Sequence, residues 1–210
     1  MALPATDAFT AASDAALQTY SANWTISSGG FRVLAASDVV CPYSNGVESG
    51  AFWNADAFAA NQYAQGALTG IVDSWSAIGV AVRCTAGGNY YGLYYGAGAG
   101  GGLYLFKMVG GAWIEIASAT VGIWSVGDVI RLEVEGTTLT PKRNGVLIAA
   151  IGTKTDSSLS SGAAGLSGYD ALSECNLDNW EGGNLGGGGA ADVPVALLRR
   201  RRQFVIDSWR

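Results

Sequence analysis

Residues 128–148 read DVIRLEVEGTTLTPKRNGVLI, and their pattern decides the fold. Ile130, Leu132 and Val134 alternate with Arg131, Glu133 and Glu135. A period of two belongs to an extended strand with one apolar and one solvated face. Gly136-Thr137 turns the chain into Leu139–Arg143, and Asn144-Gly145 turns it again into Val146-Leu147-Ile148. Asn-Gly between extended segments is a strong hairpin signal, because a type I′ turn needs positive φ at both central residues. Pro141 cannot donate to a ladder, which predicts an edge or a bulge for its strand.

The same pattern runs upstream. Ile78, Val80, Val82 and Cys84 alternate with Gly79, Ala81 and Arg83, which predicts a half-buried strand. Leu103–Met108 and Ala112–Ile116 flank Gly110-Gly111, a second hairpin. Turns at roughly ten-residue spacing are those of sandwiches and barrels. Helix signals are confined to an Ala-rich stretch from Asp7 to Leu17 and a single turn near Asp56–Ala60, neither with a sustained 3.6 period.

Composition agrees. The 49% hydrophobic and 14% charged residues can build a sizeable core and exclude disorder as the main state. The 31 Gly follow no G-x-y period, so they mark tight turns rather than collagen. Cys41, Cys84 and Cys175 form no CxxC pattern and His is absent, so the expectation is buried thiols, or a single disulfide, and no zinc site. No stretch of about 18 apolar residues is present to span a membrane, and the opening Met1–Asp7 lacks the regions of a secretory signal.

Asp7-Ala8-Phe9, Trp24-Thr25, Gly30-Phe31-Arg32-Val33 and Leu177-Asp178-Asn179-Trp180-Glu181-Gly182 frame an interior with Gly127-Asp128-Val129-Ile130-Arg131-Leu132 and Asn144-Gly145-Val146. In that order, across roughly residues 5–183, these motifs resemble the concanavalin A-like lectin/glucanase superfamily, which includes laminin G-like modules. The resemblance implies an all-β, two-sheet antiparallel jelly-roll sandwich whose first and last strands lie side by side. It implies glycans as partners, and it is shared by lectins, glycosidases and domains of phage structural proteins, so it does not choose among them.

The residues themselves argue against catalysis. Glycosidases of this superfamily carry an E-x-D-x-E strand; here Glu133-Val134-Glu135 lacks the central Asp, and Thr137 stands where the third acid would be. Without His, a Ser-His-Asp system cannot form. Gly96–Gly102 lacks the Lys-Ser/Thr of a phosphate loop and reads as a mobile loop. No D-x-D-x-D loop suggests calcium, so no metal or other cofactor is expected.

Aromatic residues carry the binding signal. Tyr90, Tyr91, Tyr94 and Tyr95 surround Gly92-Leu93, and Tyr rings suit the apolar faces of sugars. On a strand Tyr91 and Tyr95 share one face and Tyr90 and Tyr94 the other, so one pair faces a ligand and the other the core. Trp53 and Gln62 are secondary candidates.

The domain is expected to span 1–183, followed by a Gly-rich linker at 184–192 and a docking tail at 193–210. In the tail Leu198, Phe204, Ile206 and Trp209 accompany Arg199, Arg200, Arg201 and Arg202, a pattern fit to dock on another protein or a second copy. The chain's net charge of −5 is carried by the body, which does not attract nucleic acid. Together these features suggest a non-catalytic, lectin-like protein of a virion, of the capsid-decoration or fibre-head type. The alternatives are a bacterial carbohydrate-binding surface module, extracellular by non-classical export, and a glycoside hydrolase of the same fold.

Overall fold

The computed structural model describes residues 3–71, 75–170 and 175–186. The expected tail, with Leu198, Arg199, Arg200, Arg201, Arg202, Phe204, Ile206 and Trp209, lies outside the described residues, as does most of the expected linker. In chain order the strands are β1 (Ala5–Asp7), β2 (Ala15–Ala16), β3 (Trp24–Ser28), β4 (Phe31–Leu34), β5 (Val39–Pro42), β6 (Glu48–Trp53), β7 (Gln62–Gly70), β8 (Ala77–Cys84) and β9 (Tyr90–Gly96). They continue as β10 (Gly102–Val109), β11 (Ala112–Thr120), β12 (Val129–Glu135), β13 (Thr138–Arg143), β14 (Val146–Leu147), β15 (Lys154–Thr155), β16 (Ala163–Tyr169) and β17 (Asn176–Asn184). Four-residue helical turns occur at α1 (Leu17–Tyr20) and α2 (Gly98–Gly101).

These strands form two antiparallel sheets, the jelly-roll sandwich that the sequence implies. One has the order β14-β13-β12-β7-β17-β5-β4-β2, with β1 beside β17 and β15 beside β13; the other runs β11-β10-β9-β8-β16-β6-β3. The main core lies between them. Ile130, Leu132 and Val134 point into it with no exposed surface, while Arg131 and Glu133 stay on the far side and Glu135 is exposed. Asn144 and Gly145 both adopt positive φ, as do Gly110 and Gly111, so both hairpins turn as their sequences require. Pro141 sits on β13, between its short edge pairings with β14 at Lys142 and Arg143 and with β15 at Thr138 and Leu139.

Two expectations need correction. β8 is buried along its whole length, because it lies in the middle of its sheet with apolar residues on both faces. Its alternation also breaks at Arg83, whose φ of 54° creates a bulge that moves Cys84 to the same side as Ala81. The buried Arg83 guanidinium donates to the carbonyls of Ala60, Gly136 and Leu159, joining three loops. Within the glycine-rich stretch expected as a mobile loop, Gly98–Gly101 form the α2 turn.

The chain ends close the sandwich. Asp7 on β1 faces Trp180 on β17 across the ladder. The Asp7 carboxylate accepts from the Phe9 amide (2.8 Å), the Tyr20 hydroxyl (2.7 Å) and the Trp24 indole (2.8 Å). Trp24 packs edge-on against Trp180 with centroids 4.7 Å apart, and Trp53 stacks on Trp180 at 5.7 Å. Removing the carboxylate leaves a buried indole N–H without an acceptor. Asp7→Ala is expected to lower stability by about 3 kcal/mol in urea unfolding; a loss below about 1 kcal/mol would show that this network does not hold the chain ends.

Candidate functional site

Strand β9 sorts its tyrosines by parity. Tyr91 and Tyr95 point into the main core and are fully covered. Their hydroxyls serve as loop anchors. Tyr91 donates to Asp156 Oδ1 (2.7 Å) and accepts from the Leu159 amide (2.9 Å); Tyr95 accepts from the Trp124 amide (2.9 Å) and stacks on the Trp124 ring at 4.8 Å. Burial pushes the Tyr91 hydroxyl up to about 12. This pair is therefore structural, and a ligand on the sheet surface does not reach it.

Trp53 and Gln62 are corrected in the same way. Trp53 is buried in the tryptophan cluster, and its indole donates to Asp56 (2.8 Å). Gln62 is fully buried; its amide donates to Ala59 O (2.7 Å) and Gly162 O (2.9 Å), and its carbonyl accepts from the Arg83 amide (3.0 Å). A side chain with these partners is a pin between loops, not a ligand contact.

Tyr90 and Tyr94 lie on the outer face of the seven-stranded sheet, in a second apolar cluster with Ala77, Ala81, Phe106 and Met108. Glycines make that layer possible. A Cβ on Gly92 would collide with the Phe106 ring from the adjacent strand, and one on Gly50 would lie 2.5 Å from the Tyr90 ring. Large rings thus lie flat over a backbone stripped of side chains. Tyr90 is covered completely, so it too is corrected from ligand contact to floor support.

Tyr94 is the sequence candidate that reaches a cavity. A pocket of about 230 Å³ opens on this face, walled by Tyr94 (β9), Tyr104 (β10), Trp113 (β11), Tyr169 (β16), Trp75 and the carboxylate of Glu48 (β6). Tyr94 lies opposite Tyr104 across the ladder, with ring centroids 5.6 Å apart. Trp113 stacks on Phe106 at 5.7 Å and remains 37% exposed; Trp75 is 73% exposed at the rim. Gly96 and Gly102, partners across β9 and β10, keep one wall free of side chains.

Glu48 is the polar feature of this pocket. Its Oε1 accepts from the Tyr94 hydroxyl at 3.2 Å, and its Oε2 is buried without a hydrogen-bond partner among the described residues. Burial pushes its carboxyl up to about 7, against a weaker lowering by the Tyr94 hydrogen bond. Tyr90 and Tyr94, both pushed up chiefly by burial, stay neutral beside it. Sequence reading missed Glu48, Trp75, Tyr104, Trp113 and Tyr169. Tyr104 could have been found from the register of β9 on β10; Glu48 could not, because β6 joins the site only through long-range pairing.

Elsewhere the buried Arg32 Nε lacks a hydrogen-bond partner among the described residues, while the acidic groups that follow are paired. Glu133 is held by Arg131 (2.7 Å) and Lys142 (2.9 Å) on the outer face of the other sheet, away from the pocket. Asp178 bonds to the Asn179 amide in a bulge of β17, and burial pushes its carboxyl up to about 6. Among the described residues no group of three or more acidic or Cys side chains could hold a metal ion. A second groove of about 320 Å³, lined by Trp124, Val146, Leu147 and Ile148, is larger, but its one charge, Arg143, is already paired with Asp128.

No family model matches the chain, and no curated protein matches it. Solved structures do. Carbohydrate-binding module CBM66 from Bacillus subtilis has a TM-score of 0.57 at 18% identity, covering 77% of this chain and 92% of that one. A Bacillus subtilis protein of unknown function with a galectin-like fold has a TM-score of 0.57 at 10% identity, covering 86% and 94%. The potassium-bound carbohydrate recognition domain of Emp46p has a TM-score of 0.52 at 9% identity, covering 80% and 91%. At these identities the likeness is one of fold: the chain is a galectin-like, concanavalin A-like jelly roll.

The Glu48 environment predicts a pH signature. An unfolded glutamate ionises near 4.5, while the folded one holds its proton to about 7. Between these values folding takes up a proton, so stability falls as pH rises through that window. Relative to Glu48→Gln, the native chain is expected to lose about 2 kcal/mol between pH 4.5 and pH 8, after discounting for solvent screening. Parallel curves for the two proteins in urea titrations would contradict this assignment.

Proposed function

We propose that this chain is a non-catalytic carbohydrate-binding module that takes its ligand on the outer face of the seven-stranded sheet, in the pocket walled by Tyr94, Tyr104, Trp113 and Trp75. The observation that carries the reading is the convergence of these rings, from three strands and a loop, around one buried carboxylate. Sugar rings pair an apolar C–H face with hydroxyls, and aromatic walls with a single polar group match that character. The fold it shares with a carbohydrate-binding module and a carbohydrate recognition domain supports the same reading.

The finer part of the proposal is display. A Gly-rich stretch at 186–189 followed by an apolar, arginine-rich end would suit a module tethered to a larger assembly, on a virion or on a bacterial surface. Mass spectrometry of purified particles against cell-surface fractions separates the two placements.

Binding is tested with an oligosaccharide panel and calorimetry. Trp113→Ala is expected to weaken the best ligand about tenfold, as loss of one stacking wall should. Leu147→Ser, in the second groove, is expected to leave it unchanged. Full affinity in Trp113→Ala would remove the pocket from the account. Release of reducing sugar, lost in Glu48→Gln, would replace the binding module with a hydrolase.

A further inference from the structure

Glu48 sets a condition on the ligand beyond a sugar's shape. We infer that the pocket selects an amino sugar with a free ammonium group over its neutral or N-acetylated counterpart, and this rests on the binding site proposed above.

Three observations converge. The Glu48 Oε2 is buried and unpartnered among the described residues, and its one protein hydrogen bond, from Tyr94, goes to Oε1 at 3.2 Å. A buried carboxylate in that state is costly unless a partner supplies both a donor and a positive charge. The residues around it include the aromatic side chains of Tyr94, Tyr104, Trp113, Trp75 and Tyr169, and an ammonium is attracted to aromatic rings as well as to a carboxylate. No lysine or arginine lines the pocket among its described residues. Burial pushes the carboxyl up to about 7, and an ammonium beside it would favour the charged form again.

A sugar hydroxyl can also donate to Oε2, but it leaves the charge uncompensated. An N-acetyl group removes the charge and adds bulk at the same point. An ammonium at the Glu48 carboxyl, whose buried Oε2 turns toward the pocket to meet it, satisfies hydrogen bond, charge and aromatic walls at once.

The test is calorimetry of the full chain at pH 7 with the glucosamine trisaccharide and with the tri-N-acetylated trisaccharide of the same linkage. Wild type is expected to bind the amine form about tenfold more tightly. Glu48→Gln is expected to bring the ratio close to one through loss of affinity for the amine form. Selectivity that survives in Glu48→Gln would come from the chain's overall charge of −5 and overturns the assignment to Glu48. Equal or tighter binding of the acetylated form by wild type overturns the selectivity and leaves the binding site standing, provided Trp113→Ala weakens it. If neither sugar binds wild type, this inference falls, and the site is judged separately on the panel ligand and its weakening in Trp113→Ala. Should Glu48→Gln fail to fold, the wild-type ratio is measured again at about 1 M salt: a ratio that persists supports the partly buried carboxyl, and one that falls to unity assigns the selectivity to overall charge and overturns it.

Discussion

Seven consecutive residues of β9, Tyr90 to Gly96, are buried on both faces of their sheet, and the rest of the molecule is arranged around that constraint. A strand alternates its side chains strictly. Tyr91, Leu93 and Tyr95 must therefore enter the main core, and Tyr90 and Tyr94 must lie on the outer face. The inward tyrosines keep their hydroxyls satisfied by fastening the loops at 156–159 and 122–124. The outward ones have no second sheet above them. They are covered instead by Phe106 and Tyr104, and that improvised layer leaves a pocket where it ends.

Closure of the sandwich depends on a second long-range arrangement. Trp24, Trp53 and Trp180 come from β3, β6 and β17 and meet in one cluster, with each indole N–H satisfied. Such contacts between distant parts of the chain give cores their cooperativity, and they also fix where β6 lies. Because β6 is fixed by Trp53 at one end, Glu48 at its other end is held beside Tyr169 and the Tyr94 hydroxyl. The acid in the pocket and the tryptophans in the core are thus two ends of one strand.

What the sequence revealed follows from range. The alternation of β12, the turns at Asn144-Gly145 and Gly110-Gly111, and the pairing of Tyr91 with Tyr95 against Tyr90 with Tyr94 are local and were legible. The meeting of Asp7 with Trp180 followed from the superfamily resemblance rather than from any local signal. Local period cannot say which face of a central strand lies inward, so it left open which tyrosine pair is core; Tyr91 and Tyr95 are. Trp53 and Gln62 misled for a related reason: an indole or an amide is as useful for satisfying a buried backbone as for touching a sugar. Glu48 was invisible, since three strands separate β6 from β10 in the sheet order.

The central claim is that ligands are taken on the outer face of the seven-stranded sheet, over the aromatic layer that β9 builds. Indole N–H resonances in a ¹⁵N-labelled sample, followed while the tightest-binding oligosaccharide is titrated in, address it most directly. The account predicts that the signals of Trp75 and Trp113 move, while those of Trp24, Trp53 and Trp180 stay in place. Movement confined to Trp124, beside the second groove, would contradict it.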